Sequence, residues 1–172
     1  MTIHIEHRLD LFLEEEVEDI IELGDALVLS EGKISGDKLD HSIRNTRIAW
    51  IHPNTETHWL FDRAIMVFKS GLPFSTLQSM QYTVYDSKGS HYDWHRDIGG
   101  DEIAKARVTV GIVQLSHPSE YRGGVLQIKY EDQVIDVMKT KGMVTTFPIQ
   151  LEHRVTPVTS GVRKTLIMWG LK

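Results

Sequence analysis

The sequence predicts a mostly β protein with flanking helices, its strands folded into an antiparallel sandwich or barrel. Helical periodicity is confined to about the first 70 residues, and after Pro73 short β-rich segments alternate with turn signals. Eight such segments follow at close spacing, which suits a sandwich or barrel.

In chain order, Val17, Ile20, Ile21, Gly24, Leu27 and Val28 recur at helical spacing. Glu14, Glu15, Glu16 and Glu18 stand in the first turns, where the helix dipole favours acids, and Asp10 is the expected N-cap. Residues 30–40, with Gly32 and Gly36, form a polar loop, and 47–51 reads as a short strand stopped by Pro53. Asn54 caps a second helix that runs to about Ser70 and is ended by Gly71 and Pro73. Trp59, Leu60, Ala64, Val67 and Phe68 give that helix a broad apolar face, so both helices are expected to pack outside a sheet. The strands are expected at 76–85, 91–97, 107–115, 125–130, 133–138, 143–147, 153–158 and 163–169. Gly123-Gly124, Glu131-Asp132, Thr140-Lys141-Gly142 and Thr159-Ser160-Gly161 supply turns. No repeat, linker or low-complexity segment interrupts the chain. Residues 1–172 therefore read as a single domain, with 1–75 as a helical support region and 76–172 as the β core.

The apolar fraction of 41% and charged fraction of 25% are those of a soluble globular protein. Net charge is −5 and no Lys/Arg block stands out, which counts against a nucleic-acid partner. The chain has no cysteine, so disulfides and thiolate metal sites are excluded. The N-terminal residues lack a basic stretch followed by an apolar one, and no apolar run approaches membrane-spanning length. No membrane association and a cytoplasmic location are the expectation.

His95, Asp97 and His153 carry the chemistry. His95 and Asp97 are two residues apart, a spacing that puts them on one face of a strand. With His153 they make a two-His-one-carboxylate set, which leaves up to three coordination positions open and suits non-haem Fe(II) oxygen chemistry. His-x-Asp alone arises by chance, and a chain with nine His supplies a third ligand cheaply. The context of His153 raises the odds. It lies between Phe147-Pro148 and Val155-Thr156-Pro157-Val158, and Arg163 follows ten residues later in what reads as a buried strand. A guanidinium there matches the far carboxylate of a chelating co-substrate, and Thr165 on the same face adds a hydroxyl. The alternative for Arg163 is a surface ion pair, and its place in a strand ending Leu166-Ile167-Met168-Trp169, which looks buried, counts against that.

Residues 85–97, Tyr-Asp-Ser-Lys-Gly-Ser-His-Tyr-Asp-Trp-His-Arg-Asp, resemble the first signature of the prolyl-4-hydroxylase-like Fe(II)/2-oxoglutarate dioxygenases. Residues 107–116 and 121–126 resemble the next strand pair, and Phe147-Pro148, 151–155, Pro157-Val158, Gly161 and Arg163 the last signature. The match runs from about Thr76 to Trp169 and is nearest to small bacterial and phage-type members. The resemblance implies a double-stranded β-helix (jelly roll). It implies His95, Asp97 and His153 as iron ligands, and 2-oxoglutarate held by Arg163 and Thr165. It implies a further contact from Tyr85, or in second place Tyr82; the two are three residues apart, so a regular strand cannot point both inward. Val110 stands where relatives often carry Ser or Thr, which implies one co-substrate hydrogen bond fewer. The implied reaction decarboxylates 2-oxoglutarate with O2 and hydroxylates a substrate C–H, with ascorbate as an optional accessory. The implied substrate is a peptide, a protein (a prolyl residue by family precedent) or a small molecule. A nucleic-acid demethylase of the same superfamily and a non-catalytic small-molecule-binding sandwich are the alternatives.

Other residues read more plainly. Tyr92 lines the mouth or packs on the sheet, and Trp169 walls the pocket or is core. Trp94 faces away from His95 and is expected in a core. Arg96 points opposite the ligands and caps the sheet. His91 and His117 have surface roles, and the Glu14 to Glu18 run is a solvated helix face.

Overall fold

The computed structural model describes residues 5–34, 37–68 and 74–172. The expected positions Gly36, Ser70, Gly71 and Pro73 lie outside the described residues. The chain begins with strand β1 (Glu6–Arg8), helix α1 (Glu14–Asp25), β2 (Ser30–Glu31), β3 (Arg44–Asn45), β4 (Arg47–Ile51) and helix α2 (His58–Phe68). Then come β5 (Thr76–Leu77), β6 (Met80–Tyr85), β7 (His91–His95), the short helix α3 (Glu102–Ala106), β8 (Arg107–Gln114) and β9 (Tyr121–Gly123). The last elements are β10 (Leu126–Tyr130), β11 (Gln133–Asp136), β12 (Val144–Pro148), β13 (His153–Val155), β14 (Val158–Gly161) and β15 (Arg163–Leu171).

The strands form two main antiparallel sheets, as the double-stranded β-helix expectation requires. The larger has eight strands in the order β1-β12-β8-β15-β6-β4-β2, with β5 also paired to β15. The smaller has five, β11-β10-β13-β7-β3, and β14 with β9 makes a separate pair. Alternation sorts the side chains of the larger sheet. Met80, Tyr82 and Val84 of β6, Val113 of β8, Val144 of β12 and Leu166 and Met168 of β15 meet Val17 and Ile20 of α1 and Leu60, Ala64, Val67 and Phe68 of α2. On the other face Tyr85, Val110, Ile112, Phe147 and Trp169 meet Leu126, Ile128 and Val155 of the smaller sheet. One sheet thus separates a helix-side core from an inter-sheet core, and the helices lie outside the larger sheet as expected. Among the described residues no helix is long and apolar enough to cross a membrane.

Several local expectations are revised. Residues 1–75 hold more than two helices, because β1, β2 and β4 join the larger sheet and β3 joins the smaller. β4 is the strand expected at 47–51, whereas β1, β2 and β3 are two or three residues long, too short for a two-residue alternation to register in the sequence. Asp10 does not cap α1; it accepts two hydrogen bonds from Arg8, at 3.0 and 2.8 Å. The N-cap is Leu13, whose backbone N–H is closed by the Glu16 carboxylate, 2.8 Å away. Leu27 and Val28 lie beyond the helix and are exposed. Asn54 does begin the approach to α2, accepting from the backbone N–H groups of Glu56 and Thr57, although the helix itself starts at His58. Residues 159–161 are strand rather than turn, paired to β9. Gly123 and Gly124 have φ of 71° and 57°, and a Cβ on Gly123 would meet the Pro157 carbonyl oxygen at 2.1 Å, so glycine is required at this crossing.

A second close approach is testable. A Cβ on Gly24 of α1 would stand 2.5 Å from the Tyr82 ring. Glycine-to-alanine in a helix ordinarily stabilises by about 0.5–1 kcal/mol, whereas overpacking a core costs about 1–3 kcal/mol. The clash is the larger effect, so Gly24→Ala lowers the urea midpoint. A raised midpoint would show that the ring yields at little cost.

Candidate metal centre

β13 pairs with β7 so that His153 faces His95 directly. Asp97 follows β7 by two residues and returns its carboxylate to both imidazoles. Its Oδ1 is 3.7 Å from His95 Nε2, and its Oδ2 is 3.9 Å from His153 Nε2. One ligand atom from each of the three residues lies within 4.8 Å of the others. Atoms 3.9 Å apart can both stand about 2.1 Å from a common ion, so the set suits one divalent cation after a small inward adjustment.

The surroundings prepare each ligand. Nδ1 of His95 lies 2.7 Å from the Asp93 carbonyl oxygen, and Nδ1 of His153 lies 3.2 Å from that of Leu151. A carbonyl only accepts, so each Nδ1 carries the proton and each Nε2 presents its lone pair inward. Burial, and then the neighbouring His153, pull His95 down to about 3, which leaves it neutral and ready to ligate at physiological pH. Burial pushes Asp97 up, but His153, His95, the Trp169 N–H and Arg107 together outweigh it, and the carboxyl stays below its ordinary value. Trp169 Nε1 donates to Asp97 Oδ2 at 2.8 Å. Tyr92 stacks on the His95 ring at 3.5 Å and 10°, and Phe147 meets His153 edge-on at 5.0 Å.

The triad lines a cavity of about 360 Å³ between the sheets, which Tyr85, Ile112, Leu126, Val155, Ile167 and Trp169 also line. Ile112 and Leu126 are shared with a smaller hollow beside Arg163, Gln114 and Lys139, so the two spaces adjoin. Arg163 is only 2% exposed, and its Nε and Nη1 are buried without a hydrogen-bond partner. A buried guanidinium in that condition calls for an anion. Its carbon sits 5.0 Å from the Tyr85 ring, across the strand pair in which Arg163 faces Tyr85. Thr165 is buried two residues further along the same strand, on the same face.

The structure therefore brings together His95, Asp97 and His153, and groups Arg163, Thr165 and Tyr85 on the inner face of the larger sheet. Tyr82 is corrected: it belongs to the helix-side core and donates to Asp25 Oδ1 at 2.7 Å, so alternation along β6 turns it away from the cavity. Trp94 is corrected too. It faces away from His95, but onto the outer face of the smaller sheet, where Lys129 and Arg154 stand 4.3 and 4.7 Å from its ring. Trp169 and Tyr92 both line the cavity, and Arg96 lies 3.9 Å from Glu152.

Tyr121, whose buried hydroxyl has no hydrogen-bond partner, carries no functional signal in the sequence. Burial raises the Tyr121 pKa, against the opposing pull of Arg163. The hydrogen bond from Trp169 to Asp97 was not foreseen either. The two-residue spacing from Arg163 through Thr165 and Ile167 to Trp169 was the available signal for that contact.

A family model described as the 2OG-Fe(II) oxygenase superfamily matches residues 80–170. The chain is 32% identical over 115 residues to a PKHD-type hydroxylase of Azoarcus sp. (strain BH72), covering 63% of this chain and 49% of that protein. The chain thus spans about half the length of this curated relative. Among solved structures, a Pseudomonas putida prolyl-4-hydroxylase superposes with a TM-score of 0.81 at 18% identity, covering 99% of this chain and 94% of the other. A Trichoplax adhaerens prolyl hydroxylase, solved with a hypoxia inducible factor oxygen degradation domain peptide fragment, gives 0.81 at 16% identity, with 97% and 83% covered. At these identities the two structures show a shared fold.

The protonation of the triad has a consequence for stability. His95 has a folded pKa of about 3 against an ordinary 6.5, and Asp97 is also lowered, so below about pH 6.5 the unfolded chain binds more protons than the folded one. Stability without metal is then full above that pH and falls as the pH drops toward 3. Denaturation midpoints measured from about pH 7 to pH 4 should fall in the wild type and fall less in His95→Gln. Equal slopes would refute this.

Proposed function

The chain belongs to the 2OG-Fe(II) oxygenase superfamily, and from that premise we propose that it is an Fe(II)- and 2-oxoglutarate-dependent dioxygenase that hydroxylates a substrate C–H. The observation that carries the proposal is the buried guanidinium of Arg163, whose Nε and Nη1 have no hydrogen-bond partner, one hollow away from the His95–Asp97–His153 cluster. Three protein ligands leave open positions on a metal, and a fixed cation at the inner end matches the distal carboxylate of a dicarboxylic keto acid. Bound Fe(II) would supply the coupling of O2 reduction to decarboxylation of 2-oxoglutarate, giving succinate and carbon dioxide.

The chain's own residues have the remaining tasks. His95, Asp97 and His153 would hold the metal, with Trp169 and the Asp93 and Leu151 carbonyls orienting them. Arg163 would fix the far end of the co-substrate, with Tyr85 and Thr165 beside it. Ile112, Leu126 and Ile167 would keep that passage dry, which strengthens every charge interaction inside it. This chemistry requires no protein general base. The substrate is read as a prolyl residue of a peptide or protein, supported by the peptide bound in the Trichoplax neighbour. A cytoplasmic location belongs to the same reading, since a reducing interior keeps iron ferrous. The net charge of −5 gives no support to the demethylase alternative.

Fe(II) and 2-oxoglutarate added together under nitrogen should give the weak visible charge-transfer band of the chelate, and alanine at His95, Asp97 or His153 should remove it. No band in the wild type would sink the proposal. Arg163→Ala should raise the Michaelis constant for 2-oxoglutarate at least about tenfold, because two charge-assisted hydrogen bonds contribute about 1.5–3 kcal/mol each and 1.4 kcal/mol is a factor of ten. Arg163→Lys keeps the charge without the fork and should lose part of the affinity. An unchanged constant in Arg163→Ala would mean that another residue anchors the co-substrate.

A further inference from the structure

We infer that Asp93 is a positioning residue for the metal site: its carboxylate holds a β-bulge in β7 that turns both Tyr92 and His95 into the cavity. The inference rests on the metal-centre reading of His95, Asp97 and His153, and adds to it the residue that aims one ligand.

Tyr92 and His95 are three residues apart, so a regular strand would send them to opposite faces. Both line the cavity instead, and their rings stack at 3.5 Å and 10°. The pairing of β7 with β13 supplies the reason. His153 faces His95 and Val155 faces Tyr92, so three steps along β7 are matched by two along β13. Asp93 and Trp94 together stand opposite Arg154, and such an extra residue re-aims the side chains around it.

The polar groups at this irregularity centre on Asp93. Its backbone N–H donates to the Ile43 carbonyl oxygen at 2.8 Å, on the side away from β13. The Trp94 N–H, inside the bulge, donates to Asp93 Oδ1 at 2.8 Å. The Asp93 carbonyl oxygen lies 2.7 Å from Nδ1 of His95 and accepts its proton. A short acidic side chain is suited to closing on a neighbouring backbone N–H in this way. Asp93 is exposed, and among the described residues its carboxylate forms no ion pair. On the outer face, Lys129 and Arg154 hold the Trp94 ring between them. With Trp94 held outward and its N–H closed by Asp93, the Asp93 carbonyl is left pointing at His95. That contact fixes which nitrogen of His95 faces the metal position.

Three substitutions separate the acceptor from the charge. Asp93→Asn keeps an acceptor oxygen in place and removes the charge. Asp93→Glu keeps the charge and carries the acceptor one methylene further out. Asp93→Ala has neither. Each full chain is titrated with Co(II) under nitrogen, followed by its visible d–d absorption. The metal-free chains are compared near neutral pH by 15N NMR of the His95 imidazole, assigned with His95→Gln.

Asp93→Asn should bind Co(II) as the wild type does, with the same bands. Asp93→Glu and Asp93→Ala should bind about 10–100-fold more weakly, with shifted bands. Without metal, His95 should carry its proton on Nδ1 in the wild type and Asp93→Asn, and on a mixture of both nitrogens in the other two. Gly24→Ala, destabilised in the helix-side core, should bind as the wild type does, which separates aim from stability. Asp93→Glu decides the matter if the alanine variant does not fold.

Wild-type affinity and tautomer in Asp93→Glu and Asp93→Ala would overturn the inference. A loss in Asp93→Asn as large as in Asp93→Ala would assign the effect to charge and overturn it as well, and so would an equal loss in Gly24→Ala. Absence of Co(II) binding by the wild type would defeat the metal-centre reading alone, because the 15N comparison judges the aim of His95 without metal.

Discussion

The register of β15 is the constraint on which the rest depends. This strand lies between β8 and β6, and its side chains alternate between two interiors of opposite chemistry. Leu166 and Met168 enter the helix-side core, while Arg163, Thr165, Ile167 and Trp169 face the inter-sheet space. A slip of one residue would exchange the two sets. It would drive a guanidinium among the aliphatic side chains of α1 and α2 and remove the Trp169 donor from Asp97. The helix-side packing therefore does more than stabilise. By making the wrong register costly, it aims the polar face of the sheet at the cavity.

Within that frame the centre is electrostatically divided. Burial strips protons from His95, and backbone carbonyls fix which nitrogen faces inward. The imidazoles and the indole N–H keep Asp97 ionised despite burial. The result is a compact electron-donating cluster of largely buried side chains, flanked by guanidinium groups at both ends of β15. Such a site is costly for the folded chain by itself, because the lone pairs of three ligand atoms converge and Nε and Nη1 of Arg163 are buried without a hydrogen-bond partner. A divalent ion and carboxylate ligands are the species whose binding would relieve that cost.

Much of this was legible from residue types and spacing. His95-x-Asp97, a later His153 and an Arg163 within an apolar strand form an ordered set of rare requirements, and each was placed without tertiary information. The β-rich half was legible where its strands are long enough to alternate, as in β6, β8 and β15, and where turn residues bound the shorter ones. The first 75 residues were less so. β1, β2 and β3, of two or three residues, have no periodicity to detect, whereas β4 matches the strand read at 47–51. Asp10 shows the same limit at a helix end, since the choice between capping α1 and pairing with Arg8 depends on where β1 leaves the chain.

The sequence by itself determined the class of fold, the grouping of His95, Asp97 and His153 and the inward aim of Arg163, because these depend on side-chain chemistry and on a two-residue period. The tertiary structure decided which tyrosine of β6 faces the cavity, that Trp169 orients Asp97, and that a shift in the pairing of β7 turns Tyr92 inward beside His95. Those outcomes turn on the face a strand presents once paired and on the places where pairing slips. Both are properties of neighbours distant in sequence, and local residue preference does not encode them.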